Sequence, residues 1–178
     1  QEYLKPWEVL RLIPNKRKNL SLIVEDVFCN LKKQNIVFAE IRNSILYLAT
    51  LNEISFEEAM IWLIEDIDSF ADKYNIRAGL ILTVTRGDYS TDHLRTLIKT
   101  YLNIGKPSLI IGLDLAGNED SHVPDNLCYE FKNAKDKYGF NITIHAGETG
   151  NYQNVKDAIC KFSADRIGHG TIAGKHVD

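Results

Sequence analysis

Segments with the signature of buried strands alternate along this chain with segments that read as amphipathic helices, and most of the strands close on a polar residue. From 19 to 33 the apolar residues Leu20, Ile23, Val24, Val27, Phe28 and Leu31 recur at three- and four-residue steps, the stripe of a helix that buries one side. Residues 36–41 are rich in β-branched and aromatic side chains and read as a strand closing on Glu40 and Arg42. Ser55 and Glu58 make a capping box, which predicts a helix from 55 to about 73. The pattern then repeats, with strands at 80–85, 109–115, 141–144 and 164–167 and helices at 91–102, 124–138 and 155–162. Pro124 suits the first turn of its helix.

Strands separated by helices in this way imply βαβ units and an α/β fold with a parallel sheet, which either a barrel or a doubly wound sheet satisfies. The polar residues favour the barrel. Glu40 and Arg42, Arg86, Asp114, His145 and His169 each fall at the C-terminal end of a strand, and a (β/α)8 TIM barrel builds its site from that rim. A doubly wound sheet would gather them at one switch point, usually with a glycine-rich phosphate turn. Gly168, Gly170 and Gly174 have the wrong spacing for such a turn, and there is no Walker motif.

Composition narrows the function classes. A formal net charge of −3 argues against a protein that grips nucleic acid through its phosphates, and the cluster Lys16, Arg17 and Lys18 reads as a solvated loop. No apolar run is long enough to span a membrane and no signal peptide pattern is present, so a cytoplasmic protein is expected. Cys29, Cys128 and Cys160 are widely spaced and form no CxxC pair, so neither a disulfide framework nor a thiolate zinc site is indicated.

The chemistry lies in three short segments. His145-Ala-Gly-Glu148 follows a strand, so that a histidine could offer its imidazole to a metal while two small residues turn the chain and return a carboxyl to the same place. Taken alone, it reads equally well as a hydrogen-bonded core histidine and a loop glutamate. Asp114-Leu-Ala-Gly117 by itself could be a turn. Arg166-Ile-Gly-His-Gly170 by itself could be a backbone bend around His169.

In this order and on successive strands, the segments resemble the adenosine deaminase family. The resemblance covers most of the chain and includes Phe38-Ala-Glu-Ile-Arg42, Arg86 after Thr-Val-Thr, Asp114-Leu-Ala-Gly117-Asn-Glu119, His145-Ala-Gly-Glu148 and Arg166-Ile-Gly-His-Gly170. It implies zinc-dependent hydrolytic deamination of adenosine or a related 6-aminopurine nucleoside or nucleotide, giving the inosine-type product and ammonia, with one Zn2+ per complete active site. His145 would then be a zinc ligand, Glu148 would donate a proton to purine N1, and His169 would orient and deprotonate the attacking water. Gly117 would hold purine N3 through its backbone N–H, and Asp114 would support the substrate at the same rim. The other zinc deaminase design, with HxE and PCxxC, is absent.

The resemblance also leaves gaps. The family holds zinc with four residues, and an HxH strand end and a late Asp-Asp pair are not found in this sequence. The expectation is therefore a partial TIM-barrel domain over 1–178, carrying strands two to six of eight, because a full barrel takes about 250 residues. On ligand counting, a single imidazole predicts no zinc-dependent deamination by these residues alone. Of the other histidines, His93 falls at a helix start, His122 in a polar loop and His176 beyond the last motif. Two alternatives stand beside this reading: a deaminase of AMP- or ATP-type nucleotides within a larger regulated protein, and a catalytically incomplete binding or scaffold fragment. Oligomeric state is left open.

Overall fold

Parallel strands joined by helices, as the alternation predicts, carry the second of the two units into which the chain divides. A computed structural model describes residues 16–175. The described part of the first unit is 16–39 and 45–78, and that of the second is 40–44 and 79–175. The elements run α1 (Arg17–Lys33), β1 (Phe38–Asn43), α2 (Ile45–Asn52), α3 (Phe56–Tyr74), β2 (Arg77–Thr85), α4 (Ser90–Asn103), β3 (Ile110–Ala116), α5 (Leu127–Tyr138), β4 (Asn141–Ala146), α6 (Tyr152–Cys160) and β5 (Arg166–His169), followed by a 3-10 turn at Ala173–Lys175. Among the described residues no helix is long and apolar enough to cross a membrane.

The first unit is helical. Phe28 of α1, Ile45 of α2 and Met60, Leu63 and Ile67 of α3 are fully or almost fully buried, each worth roughly 1.5–3 kcal/mol of transfer from water. Ser55 caps α3, its hydroxyl accepting the N–H of Glu58 at 3.0 Å, as the capping box predicts. Asn75, in the left-handed region at φ 53, ends that helix. Arg17 is not in a solvated loop: it opens α1 and reaches Asp66 of α3 at 2.5 Å, where the carboxylate is almost buried. The chemistry of that basic cluster is therefore an ion pair within the unit.

The second unit holds the sheet, apart from the first residues of β1 and β2. The strands lie in the order β1-β2-β3-β4-β5, and β2, β3, β4 and β5 pair parallel with their neighbours in that order. A sheet that never reverses its order has no switch point, so the barrel type is observed rather than the doubly wound one. Leu80, Leu82, Leu113 and Leu115 fill one face, with Leu94 and Leu97 of α4 and Phe131 of α5 also fully buried. Phe131 meets Phe162 edge-on at 5.6 Å between ring centroids. Gly112 is required where β3 and β4 approach: a Cβ there would stand 2.6 Å from the carbonyl oxygen of Asn141.

One helix and several boundaries differ from the sequence reading, among them β2, which begins at Arg77, and α6, which spans Tyr152–Cys160. The helix α2 is missed because Ile45–Asn52 is short and almost uniformly apolar, so it shows no stripe. The strand expected at 36–41 lies at Phe38–Asn43. Pro124 precedes α5 rather than sitting in its first turn: its carbonyl accepts the N–H of Leu127, where the helix begins. The last strand is Arg166–His169 instead of 164–167, because Asp165 uses its carboxylate on the N–H of Ile142 and its own N–H on that residue's carbonyl, so regular pairing starts one residue later.

His93 on α4 is buried, and its Nδ1 accepts the N–H of Thr85 at 3.2 Å. Burial pushes its pKa down to about 4. An exposed histidine titrates near 6.5, so between those values the unfolded chain binds a proton that the folded one refuses. Stability contributed by neutral His93 is complete above that window and is lost as pH falls through it. Urea unfolding should show stability declining on acidification across this range, and His93→Asn, which keeps an acceptor but no titration, should flatten that part of the profile. An unchanged slope in the variant would remove His93 as its source.

Candidate active site

The C-terminal ends of β3, β4 and β5 bring four of the five singled-out residues into a chain of contacts. Asp114 lies inside β3 and is almost completely buried. Its Oδ1 stands 2.9 Å from Nδ1 of His145, the penultimate residue of β4. A carboxylate only accepts, so this partner places the ring proton on Nδ1 and turns the lone pair of Nε2 outward. The His145 ring faces that of His169 with centroids 5.2 Å apart and planes tilted by 59°. His169 Nε2 is in turn 3.5 Å from Oε2 of Glu148, an ion-pair separation longer than a normal hydrogen bond. Gly117, just past β3 with φ +108, stands apart from these contacts, beside the backbone of Arg86.

The turn that carries Glu148 is built on Gly147, at φ +80. A Cβ there would meet Val155 at 2.9 Å and the Cα of Gly170 at 3.3 Å. Its carbonyl accepts the hydroxyl of Thr171 at 2.6 Å, and the preceding carbonyl, of Ala146, accepts the N–H of Gly170 at 2.9 Å. The loops after β4 and β5 are thus tied to each other. His169 itself, the last residue of β5, is in the left-handed region at φ 67, unusual for a side chain branched into a ring.

Two residues whose parts the sequence did not reveal stand behind this arrangement. Glu119, 3 % exposed, accepts the N–H of Gly147 at 3.0 Å and that of Glu148 at 2.9 Å, and also the side-chain amide of Asn154 at 3.2 Å. Burial works to raise its pKa, but the Glu148 N–H, Asn154, the Gly147 N–H and the Arg86 charge together hold it below the usual carboxylate value. Arg86, also buried, donates from Nη2 to the carbonyl of His145 at 2.9 Å. Burial lowers its pKa, opposed by the charges of Glu119 and Asp114. Glu119 closes the Asp114-to-Glu119 motif and Arg86 follows a strand, but neither hydrophobic periodicity nor spacing says which backbone groups a loop carboxylate will reach.

The unreversed parallel sheet with polar residues at its C-terminal edge is the arrangement of a (β/α) barrel. The family model described as adenosine deaminase matches residues 1–176, and the chain belongs to the adenosine deaminase family. An adenosine deaminase of Clostridium botulinum (strain 657 / Type Ba4) is 32% identical over 169 residues, covering 95% of this chain and 50% of that protein. A zinc-bound amidohydrolase structure from Burkholderia ambifaria superimposes with a TM-score of 0.82 at 22% identity, covering 94% of this chain and 47% of that one. An Arabidopsis structure in complex with IMP gives a TM-score of 0.77 at 23% identity, over 94% of this chain and 50% of that one. The chain spans about half the length of the curated relatives it matches.

Zinc is the metal the family implies, and the donor chemistry here fits it in part. His145 has the arrangement of a ligand whose second nitrogen is held by a carboxylate. Among the described residues, however, no group of three or more His, Cys, Asp or Glu side chains is placed to hold an ion, whereas catalytic zinc takes about three protein ligands. The described residues therefore offer one candidate ligand, with a carboxylate against its other ring nitrogen, and not a closed site.

Because Gly147 combines a left-handed backbone with a crowded Cβ position, Gly147→Ala should destabilise the protein by at least about 1 kcal/mol. Denaturant unfolding measures it directly. A variant as stable as the wild type would mean that the turn can relax into another shape.

Proposed function

We propose that the whole protein hydrolyses the 6-amino group from a purine nucleoside or nucleotide, with residues 1–178 forming part of one (β/α)8 barrel domain and one zinc ion per site. The observation that carries this reading is the run of contacts from Asp114 through His145 and His169 to Glu148 at one end of the sheet, in a chain of the adenosine deaminase family.

Each residue takes a part that its surroundings support. His145, with its Nδ1 proton held by Asp114, presents Nε2 as a metal donor. Zinc, when bound, supplies the Lewis acid that makes water nucleophilic near neutral pH. Glu148 gives its proton to purine N1, which draws electron density from C6 and opens that carbon to attack. His169 accepts one proton of the attacking water and passes it to the departing amino group, and the other, released as C6 becomes a carbonyl, returns to Glu148, so that water is consumed, ammonia leaves and both side chains regain their starting states. Gly117 offers its N–H to N3. Asp114, engaged with His145, acts on the substrate through that histidine rather than by touching it.

A purine nucleotide rather than a nucleoside is a second reading, favoured by the structural neighbour that holds IMP. Comparing kcat/KM for adenosine, AMP and ATP with the zinc-loaded whole protein ranks them, and loss of the adenine absorbance band reports turnover. Absence of turnover with all of these would reject purine deamination.

Glu148→Gln should keep the metal and lose activity by about 10²–10⁴-fold, mainly in kcat, since glutamine has the shape but not the proton. Turnover within a few-fold of wild type would take the acid role away from Glu148. Asp114→Asn should weaken metal affinity by about 10–100-fold, because the amide no longer fixes the His145 ring. Metal content after dialysis against a chelator series distinguishes this from a purely structural loss.

A further inference from the structure

The sharpest unassigned feature is a buried carboxylate that neither holds a metal nor faces the reacting groups. Glu119 lies in the loop after β3, at 3 % exposure, yet both its oxygens are spent on backbone N–H groups of another loop. Those N–H groups belong to Gly147 and Glu148, the residue before the proposed acid and the acid itself. A third donor, the amide of Asn154 on α6, reaches the same carboxylate at 3.2 Å and the Glu119 carbonyl at 3.1 Å. A buried carboxylate with three donors is oriented by its partners, and in turn it orients them, because moving either loop leaves a charge unsolvated.

We propose that Glu119 is a positioning residue: its carboxylate, clamped by the N–H groups of Gly147 and Glu148, fixes the turn that aims the Glu148 side chain at His169 and at the substrate. The proposal rests on the deaminase reading for what the aimed group does, but the clamp itself is independent of it. Gly147 cannot supply this order. It has no side chain, and its left-handed backbone is strained only for other residues, so the turn needs an external restraint. Thr171 holds the Gly147 carbonyl, and Glu119 takes the N–H groups on either side of it, those of Gly147 and Glu148. The Arg86 charge near Glu119 offsets the desolvation of the carboxylate without occupying its oxygens.

Glu119→Gln is the informative change. The amide keeps one acceptor for one N–H but presents an NH2 group to the other, so one of the two backbone bonds must break. Amide hydrogen exchange at Gly147 and Glu148 in the zinc-loaded whole protein reads the clamp, and steady-state kinetics reads its consequence. In the variant both amides should exchange at least about tenfold faster, the loss of a bond to a charged group. kcat should fall at least about tenfold with KM changed less than threefold, the pattern of a lost transition-state contact. Glu119→Asp, which keeps the charge on a shorter arm, should recover part of both.

Unchanged exchange in Glu119→Gln overturns the proposal whatever the activity. Faster exchange with unaltered kcat overturns the positioning role and leaves a structural one. Equal rises in KM and falls in kcat across all substrates, with Glu119→Asp no better than Glu119→Gln, also count against it. If Glu119→Gln does not fold, Asn154→Ala removes one donor and leaves the two backbone bonds, and a smaller acceleration at the same two amides is expected. No change there overturns the clamp. If the wild-type protein deaminates no 6-aminopurine, the function proposed above fails, while the exchange measurement still decides whether Glu119 holds the turn.

Discussion

Parallel pairing of successive strands is the constraint from which the site follows. Two parallel neighbours cannot be joined by a tight turn, so every connection must cross back along a helix and every strand must end on the same edge of the sheet. In the second unit β2 to β5 obey this without one reversal. Asp114, His145 and His169 belong to three consecutive strands, and register brings their C-terminal ends side by side, with Ala146 opposite His169. Residues 31 and 24 positions apart in sequence meet for no reason other than that shared edge.

The edge alone would leave a set of buried charges in a low-dielectric place, and the loops neutralise it locally. Asp114 has the His145 ring as a partner, Glu119 has three N–H donors, and Arg86, whose charge acts on both carboxylates, donates a hydrogen bond to the His145 carbonyl. Each charge is either bonded or compensated, which is what permits them to be buried at all. The same bonds run from β2 to β3 to β4 and on to α6. The groups proposed to act on substrate are therefore held in place by residues behind them.

Sequence and structure agree where the signal was strong and local. The capping box at Ser55, the strand at 80–85 and the helix α1 are all found, since each rests on side-chain periodicity or on a single hydrogen bond within a few residues, although of the expected stripe Val24 and Phe28 are buried while Ile23 and Val27 are exposed. The helix α2 left no signal because a short, almost uniformly apolar segment has no polar face to set a period. At the site, the motif residues were legible as candidates, but their partners were not. Nothing in the string Asp114 to Glu119 says that its last carboxylate reaches across to Gly147 and Glu148, because that contact depends on where two loops return, not on composition. Likewise Arg86 was legible as a polar residue after a strand, and its hold on the His145 carbonyl was not.

His169 carries a backbone conformation that its own side chain disfavours, by roughly 1–2 kcal/mol for an ordinary L-residue. A residue of that kind is a standing invitation to drift. Replacement by asparagine or glycine would relieve the strain and leave a firmer chain with no imidazole, so neutral drift towards stability and retention of the ring pull in opposite directions at this one position.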